Sequence, residues 1–145
     1  MHCVEILLVE DSPLDAEMTL HALHSTAIAN HIEWIRDGAE ALDYLFLRGR
    51  HAGRHPGPPR LVLLDIKMPK VDGLEVLKAM KEDSELRRIP VVMLTSSAEE
   101  SDLLRSYQLG VNSYVVKPVD FENFSTEIAK LGFYWMLTNR LPLNN

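Results

Sequence analysis

The sequence predicts an α/β fold, a doubly wound parallel sheet of five strands with helices on both faces. Two observations predict it. Short apolar runs such as Ile6-Leu7-Leu8-Val9 and Leu61-Val62-Leu63-Leu64 alternate with longer segments of helical period, the pattern of a parallel sheet covered on both sides. Polar residues then fall just where these runs end: Glu10 and Asp11, Asp65, Thr95 and Lys117. In a doubly wound sheet, ligands sit at the carboxyl ends of the strands, where strand order reverses.

Val4 to Val9 forms the first strand. Pro13 to about Ser25 follows as a helix, with Ser12 as N-cap and Pro13 in its first turn, where a missing N–H does no harm. His31 to Arg36 is a weaker strand in which Ile32, Trp34 and Ile35 alternate imperfectly. Gly38 to Leu47 is the second helix, Arg60 to Asp65 the third strand and Leu74 to about Lys81 the third helix. Val91 to Thr95 is the fourth strand, Ala98 to Leu109 the fourth helix and Ser113 to Lys117 the last strand. From Asp120, a further N-cap, the chain runs helical to about Asn139, with Pro142 beyond the end. No internal repeat or long linker divides the sequence, so residues 1–145 read as a single domain.

Composition narrows the function classes. With 145 residues and 46% apolar content the chain can bury a core. Lys and Arg total 15 against 21 Asp and Glu, a formal charge of -6, which argues against nucleic acid as a partner and for proteins or small molecules. The lone Cys3 has no intrachain disulfide partner and no second Cys to share a zinc. No apolar stretch approaches the ~20 residues of a membrane span, and Met1-His2-Cys3 is no basic signal-peptide start. A cytoplasmic protein with no membrane attachment is expected.

Three carboxylates beside buried strands are kept only if they are paired, bound to a metal or used in chemistry. An isolated Asp at a strand end is usually a cap or turn residue, but five polar groups from four strands converge on one rim here. Magnesium prefers oxygen ligands in octahedral geometry and keeps several waters. Asp11 and Asp65 are the expected direct ligands, with Glu10 reaching the ion through water. A carboxylate nucleophile forms an aspartyl phosphate if the transferred charge is neutralised. Magnesium and the Lys117 ammonium supply that neutralisation, and the Thr95 hydroxyl can donate to a phosphoryl oxygen.

The runs Leu8-Val9-Glu10-Asp11-Ser12, Leu63-Leu64-Asp65-Ile66-Lys67-Met68-Pro69-Lys70-Val71-Asp72-Gly73, Met93-Leu94-Thr95-Ser96-Ser97 and Ser113-Tyr114-Val115-Val116-Lys117-Pro118 closely resemble the receiver domain of two-component response regulators. The resemblance covers nearly the whole chain and implies the flavodoxin-like (βα)5 fold with strand order 2-1-3-4-5. It implies that Asp65 accepts phosphate from a sensor kinase histidine, with Glu10 and Asp11 as the acidic pair and Lys117 as the family's lysine. The backbone carbonyl of Lys67 is then the remaining protein ligand for Mg2+. It further implies a switch in which Thr95 moves toward the phosphoryl group and Tyr114 turns inward behind it, changing the surface of helix four, strand five and helix five. Lys117-Pro118 falls where receivers carry a cis peptide. Such a protein is a regulator, not an enzyme, beyond its own phosphotransfer and dephosphorylation.

Lys67 departs from the family, in which many members carry Asn or another polar residue at that place. Lys67 and Ser97 are the positions expected to tune phosphate lifetime, and Lys67 is equally readable as a solvated loop lysine. Nothing is expected after the receiver, so output passes through contacts with a downstream protein. In helix five, Phe121, Phe124, Ile128, Leu131 and Trp135 form one stripe suited to packing on the sheet. Phe133 and Leu137 lie nearly opposite and, with Leu103 and Tyr107, suggest a homodimer or kinase-docking patch, unless residues Arg140 to Asn145 cover them.

The connection Arg48 to Arg60, with His51, Arg54, His55, Pro56, Pro58 and Pro59, exceeds the usual ~2–6 residues. It reads as a mobile solvated loop, with a His51/His55 metal site as the alternative. This insertion, the helix-four tyrosine and the aromatic final helix are similar to the small regulators paired with phytochrome-type histidine kinases, which names a phytochrome as the expected kinase. Three alternatives stay open. A flavodoxin-like cofactor binder would need Gly and hydroxyl residues where Glu10-Asp11-Ser12-Pro13 stands. An aspartyl-phosphate phosphatase of the haloacid-dehalogenase type would carry an Asp at the position of Lys67. A receiver-fold adaptor that is never phosphorylated would not need the acid pair, Thr95 and Lys117.

Overall fold

The computed structural model describes residues 5–24, 31–95, 100–117, 119, 120, 122 and 126. Its elements are β1 (Ile6–Val9), α1 (Pro13–His24), β2 (Ile32–Ile35), α2 (Gly38–Leu45), β3 (Leu61–Asp65), α3 (Gly73–Lys81), β4 (Val91–Thr95), α4 (Glu100–Gln108) and β5 (Ser113–Val116). Short 3-10 turns occupy Gly49–His51 and Leu86–Arg88. The strands form one sheet in the order β2-β1-β3-β4-β5, with every neighbouring pair parallel. The expected topology therefore holds.

Strand parity divides the core. Leu7, Val9, Val62, Leu64 and Met93 face α2 and α3, meeting Ala41, Tyr44, Leu45, Val76, Leu77 and Met80. Ile6, Leu8, Leu61, Leu63, Val92, Leu94 and Val115 face the other way, onto Ala16, Ala22 and Leu23 of α1. Complete burial of each such Leu, Ile or Val contributes about 1.5–3 kcal/mol relative to exposure, which explains why the strands carry apolar residues on both faces.

Caps set the helix starts. Ser12 accepts from the Asp15 N–H through its hydroxyl (3.2 Å), as expected of an N-cap. Asp37 accepts from Glu40 N–H at the start of α2. Asp72 and Glu75 cap each other reciprocally at the start of α3, so this helix begins at Gly73, one residue before the expected Leu74. The second helix ends at Leu45 instead of Leu47, because Leu47 adopts a left-handed backbone (φ 57) that no helix continues through. The last strand stops at Val116, one residue short of Lys117. Of the fifth helix, Glu122 and Thr126 are helical. Its apolar stripe, Phe133, Leu137 and the Lys117-Pro118 peptide lie outside the described residues.

The connection from Arg48 to Arg60 is mostly exposed, as its composition suggests, but it is anchored to α2 through His51 and Arg54. His51 is buried, its Nε2 lies 2.9 Å from Glu40 Oε2, and its ring meets Tyr44 edge-on. The Arg54 guanidinium lies 3.9 Å from the centre of the Tyr44 ring and donates to the Tyr44 and Gly57 carbonyls. His55 Nδ1 accepts from Gly57 N–H. The two histidines thus take separate protein partners, and among the described residues no cluster of three or more metal-ligating side chains includes them. Composition could not show these anchors, because Glu40 and Tyr44 belong to α2 and lie outside the insertion.

Candidate functional site

Register aligns the polar residues. Val9 pairs with Leu64, which brings Glu10 beside Asp65; Asp65 pairs with Leu94, so Thr95 stands one step beyond; Thr95 pairs with Val116, so Lys117 comes next. Four neighbouring strand ends therefore present Glu10, Asp65, Thr95 and Lys117 along one rim. Gly73 lets α3 start against this rim: a Cβ there would lie 2.1 Å from the backbone oxygen of Asp65, and the Gly73 N–H donates to the Ile66 carbonyl.

Glu10 is fully buried and bonded at every polar atom. Its N–H donates to the Ile35 carbonyl, its own carbonyl accepts from the Trp34 indole N–H at 2.9 Å, and its carboxylate accepts from Ser12 N–H and from Lys117. The Lys117 side chain is 8% exposed, and its ammonium lies 2.9 Å from Glu10, 2.9 Å from Asp15 and 3.4 Å from Asp65. Burial works against this charge, but the bonds to Asp15 and Glu10 and the charges of Asp65 and Glu10 outweigh it, so the Lys117 pKa is raised above the ordinary lysine value. Asp65 is buried as well. Burial, then the charge of Glu10 and a hydrogen bond with it, push Asp65 up to about 7 against the opposing pull of Lys117.

Asp11 is the most open of the acids, and one carboxylate oxygen each from Glu10, Asp11 and Asp65 lie within 4.8 Å of one another. An all-oxygen donor set of this charge and spacing suits a hard divalent cation such as magnesium. Among the described residues it is the one cluster of three or more acidic, His or Cys side chains close enough to hold a metal.

Sequence reasoning missed two members of this constellation. Asp15, three residues after Ser12, looks like an ordinary first-turn acid of a helix, and its partner Lys117 is 102 residues away. Trp34 looks like a core aromatic; no local signal shows that its N–H reaches Glu10. The other expected positions fall as follows. Lys67 is exposed on the loop after β3. Tyr114 on β5 is half-buried and meets Tyr107 of α4 edge-on, with ring centres 5.8 Å apart. Tyr107 is exposed, but Leu103 is half-buried, whereas its neighbour Leu104 is 61% exposed. The apolar surface of α4 is thus centred on Leu104 and Tyr107 and continues to the exposed Val116 of β5. Leu103 stays half-buried because it lies a helical step away from that face. The Thr95 side chain and Ser97 lie outside the described residues.

Known proteins resemble this chain in sequence and in fold. The probable methanogenesis regulatory protein FilR2 of Methanothrix harundinacea is 46% identical over 137 residues, 94% of this chain and 86% of its own. The bacteriophytochrome response regulator AtBRR is 56% identical, with a TM-score of 0.84 over 93% of this chain and 96% of that one. Response regulator Rcp1 of Synechocystis is 37% identical over 94% of this chain and 92% of its own. The Mn(2+)-bound form of Rcp1 superposes with a TM-score of 0.77 at 36% identity over 97% of this chain and 99% of that one. The response regulator receiver domain model matches residues 6–129. With the acid cluster, the lysine and the 2-1-3-4-5 sheet all falling inside that match, the chain belongs to the response regulator receiver family, alongside small regulators of the bacteriophytochrome type.

Proposed function

We propose that this protein is a single-domain response regulator that takes a phosphoryl group from a sensor kinase histidine onto Asp65. The observation that carries the reading is the buried Asp65 carboxylate, held beside Glu10 and Asp11 with the Lys117 ammonium 3.4 Å away. An Asp65 oxygen attacks phosphorus as the bond from phosphorus to the histidine nitrogen breaks, and the electron pair leaves with the imidazole. Glu10, Asp11, Asp65 and the Lys67 backbone carbonyl would hold Mg2+, which when bound neutralises phosphoryl charge. Lys117 contributes a second cation, and Thr95 donates to a phosphoryl oxygen. Thr95 and Tyr114 then shift a two-state equilibrium, because the phosphoryl group gains a hydrogen bond in only one state. Lys67 and Ser97 tune how long the phosphate lasts.

The kinase partner is of the phytochrome type, a reading supported by the resemblance to the bacteriophytochrome response regulator AtBRR. The output is a protein contact through α4, β5 and the segment that follows. Incubation with Mg2+ and acetyl phosphate should add the mass of one phosphoryl group, and Asp65→Asn should abolish it. A folded protein that gains nothing would be an adaptor instead, and continuing release of phosphate from many substrates would indicate a phosphatase. Transfer from an autophosphorylated bacteriophytochrome, faster than from an unrelated kinase, tests the partner.

A further inference from the structure

Three oxygens surround the Lys117 ammonium, matching its three N–H donors. Two of the three acids that supply them, Glu10 and Asp65, belong to the cluster suited to a divalent cation; Asp15 does not. Lysine and cation therefore compete for the same carboxylates. An oxygen given to a dication binds an ammonium less strongly, and the two positive charges repel. Lys117 cannot simply lose its partners, because an unpaired ammonium whose side chain is 8% exposed is strongly penalised. Asp15 is, among the described residues, its one ionic partner outside the cluster. Its position is fixed, since it sits in the first turn of α1 with its N–H on the Ser12 hydroxyl.

We propose that Asp15 is a positioning residue that holds the Lys117 ammonium at the site while Glu10 and Asp65 turn oxygens to Mg2+. Lysine and cation can then occupy one pocket, as phosphoryl transfer to Asp65 requires. The use of that pocket for transfer rests on the function proposed above; the effect on metal binding does not.

Calorimetric Mg2+ titration of the full chain tests it through a double-mutant cycle of Asp15→Ala and Lys117→Met, with Asp15→Asn alongside. Asp15→Ala should weaken Mg2+ binding about tenfold when Lys117 is present and less than about threefold in the Lys117→Met background. Asp15→Asn keeps an oxygen for the ammonium and should stay within about threefold of the parent. An equal loss in both backgrounds would overturn the proposal, because Asp15 would then act only as a distant negative charge. So would unchanged Mg2+ affinity in Asp15→Ala, or a tenfold loss in Asp15→Asn; the latter serves even if Asp15→Ala fails to fold, which circular dichroism would reveal. With acetyl phosphate, Asp15→Ala should label more slowly at low Mg2+ and recover at saturating Mg2+. If the parent protein takes no phosphoryl group while the Mg2+ cycle behaves as stated, the proposed function fails and the role of Asp15 stands.

Discussion

The indole N–H of Trp34, on β2, donates to the backbone carbonyl of Glu10 at 2.9 Å, across the edge of the sheet from the site. Together with the bond from Glu10 N–H to the Ile35 carbonyl, it ties both backbone polar groups of Glu10 to β2. The Glu10 carboxylate therefore leaves from a fixed point, which suits a group that meets Lys117 and, in the proposed function, a metal as well. The Arg36 guanidinium, just past the end of β2, lies 4.5 Å from the centre of the Trp34 ring, adding a cation–π contact that holds the ring.

Trp34→Phe keeps a ring in place and removes the N–H, leaving a buried carbonyl without its donor. The expected loss is about 1–3 kcal/mol, read as a lower denaturant midpoint with an unchanged slope. Mg2+ affinity should fall with it. In a Trp135→Phe background Trp34 is the remaining indole, and its emission should respond to Mg2+; a silent Trp34 would mean that the Glu10 backbone does not feel the metal.

Much of the fold was legible because strand ends carry their own punctuation. Buried runs stop at Glu10, Asp65 and Thr95, and Ser12 and Asp72 mark helix starts through hydrogen bonds that need only local sequence. The core of the site was legible for the same reason, since parallel register turns strand-end position into spatial adjacency. The partners were not. Asp15 and Trp34 reach Lys117 and Glu10 across gaps of 102 and 24 residues, and His51 is buried by Glu40 and Tyr44 of another element. In each case the side chain is a common type whose role depends on what the fold brings beside it.

Asp65 gives the site a pH dependence. Its ordinary pKa of 3.8 is pushed up to about 7 in the folded protein, so between these values the folded state holds a proton that the unfolded state has released. Stability contributed by this group is therefore present at low pH and lost as pH rises from about 4 to about 7, a change of a few kcal/mol. Metal-free protein should unfold at lower denaturant at pH 8 than at pH 5.5, other groups held equal, and Asp65→Asn should flatten the difference. Saturating Mg2+ favours the carboxylate and should move the dependence to lower pH. An Asp65→Asn profile as steep as the parent's would assign it to other groups.

Gly73→Ala tests how closely α3 must approach the site. A Cβ would stand 2.1 Å from the Asp65 carbonyl oxygen, a distance that forces backbone to move, since no flexible side chain is there to yield. Overpacking of this kind costs about 1–3 kcal/mol or more. The expected result is a lower melting temperature together with slower labelling of Asp65 by acetyl phosphate. Normal labelling at full stability would show that the helix start is looser than its geometry indicates.

The Arg48 to Arg60 connection should behave as an ordered element. With His51 buried against Glu40 and Tyr44, and Arg54 on the Tyr44 ring, trypsin should cut slowly at Arg48, Arg50 and Arg54. His51→Ala removes the ring and leaves the Glu40 carboxylate to the exposed Arg50 and water, and should open this segment to cleavage before the rest of the chain unfolds. Rapid cutting of the parent protein at these arginines would contradict the packing.

Tyr107 and Tyr114 join α4 to β5 edge-on at 5.8 Å, and the exposed Leu104 and Val116 extend the same surface. An aromatic pair of this kind is worth about 0.5–1.5 kcal/mol, small enough for a new hydrogen bond at the phosphoryl group to outweigh it. If Tyr114 turns inward on phosphorylation, it leaves Tyr107, and the apolar surface of α4 is rearranged. Light scattering with and without the phosphoryl analogue beryllofluoride should then show a monomer shifting toward a dimer, and Leu104→Asp should suppress the shift while leaving Asp65 labelling intact. A Leu104→Asp protein that dimerises like the parent would place the interface elsewhere, and a parent that stays monomeric at high concentration would leave α4 and β5 to a different protein partner.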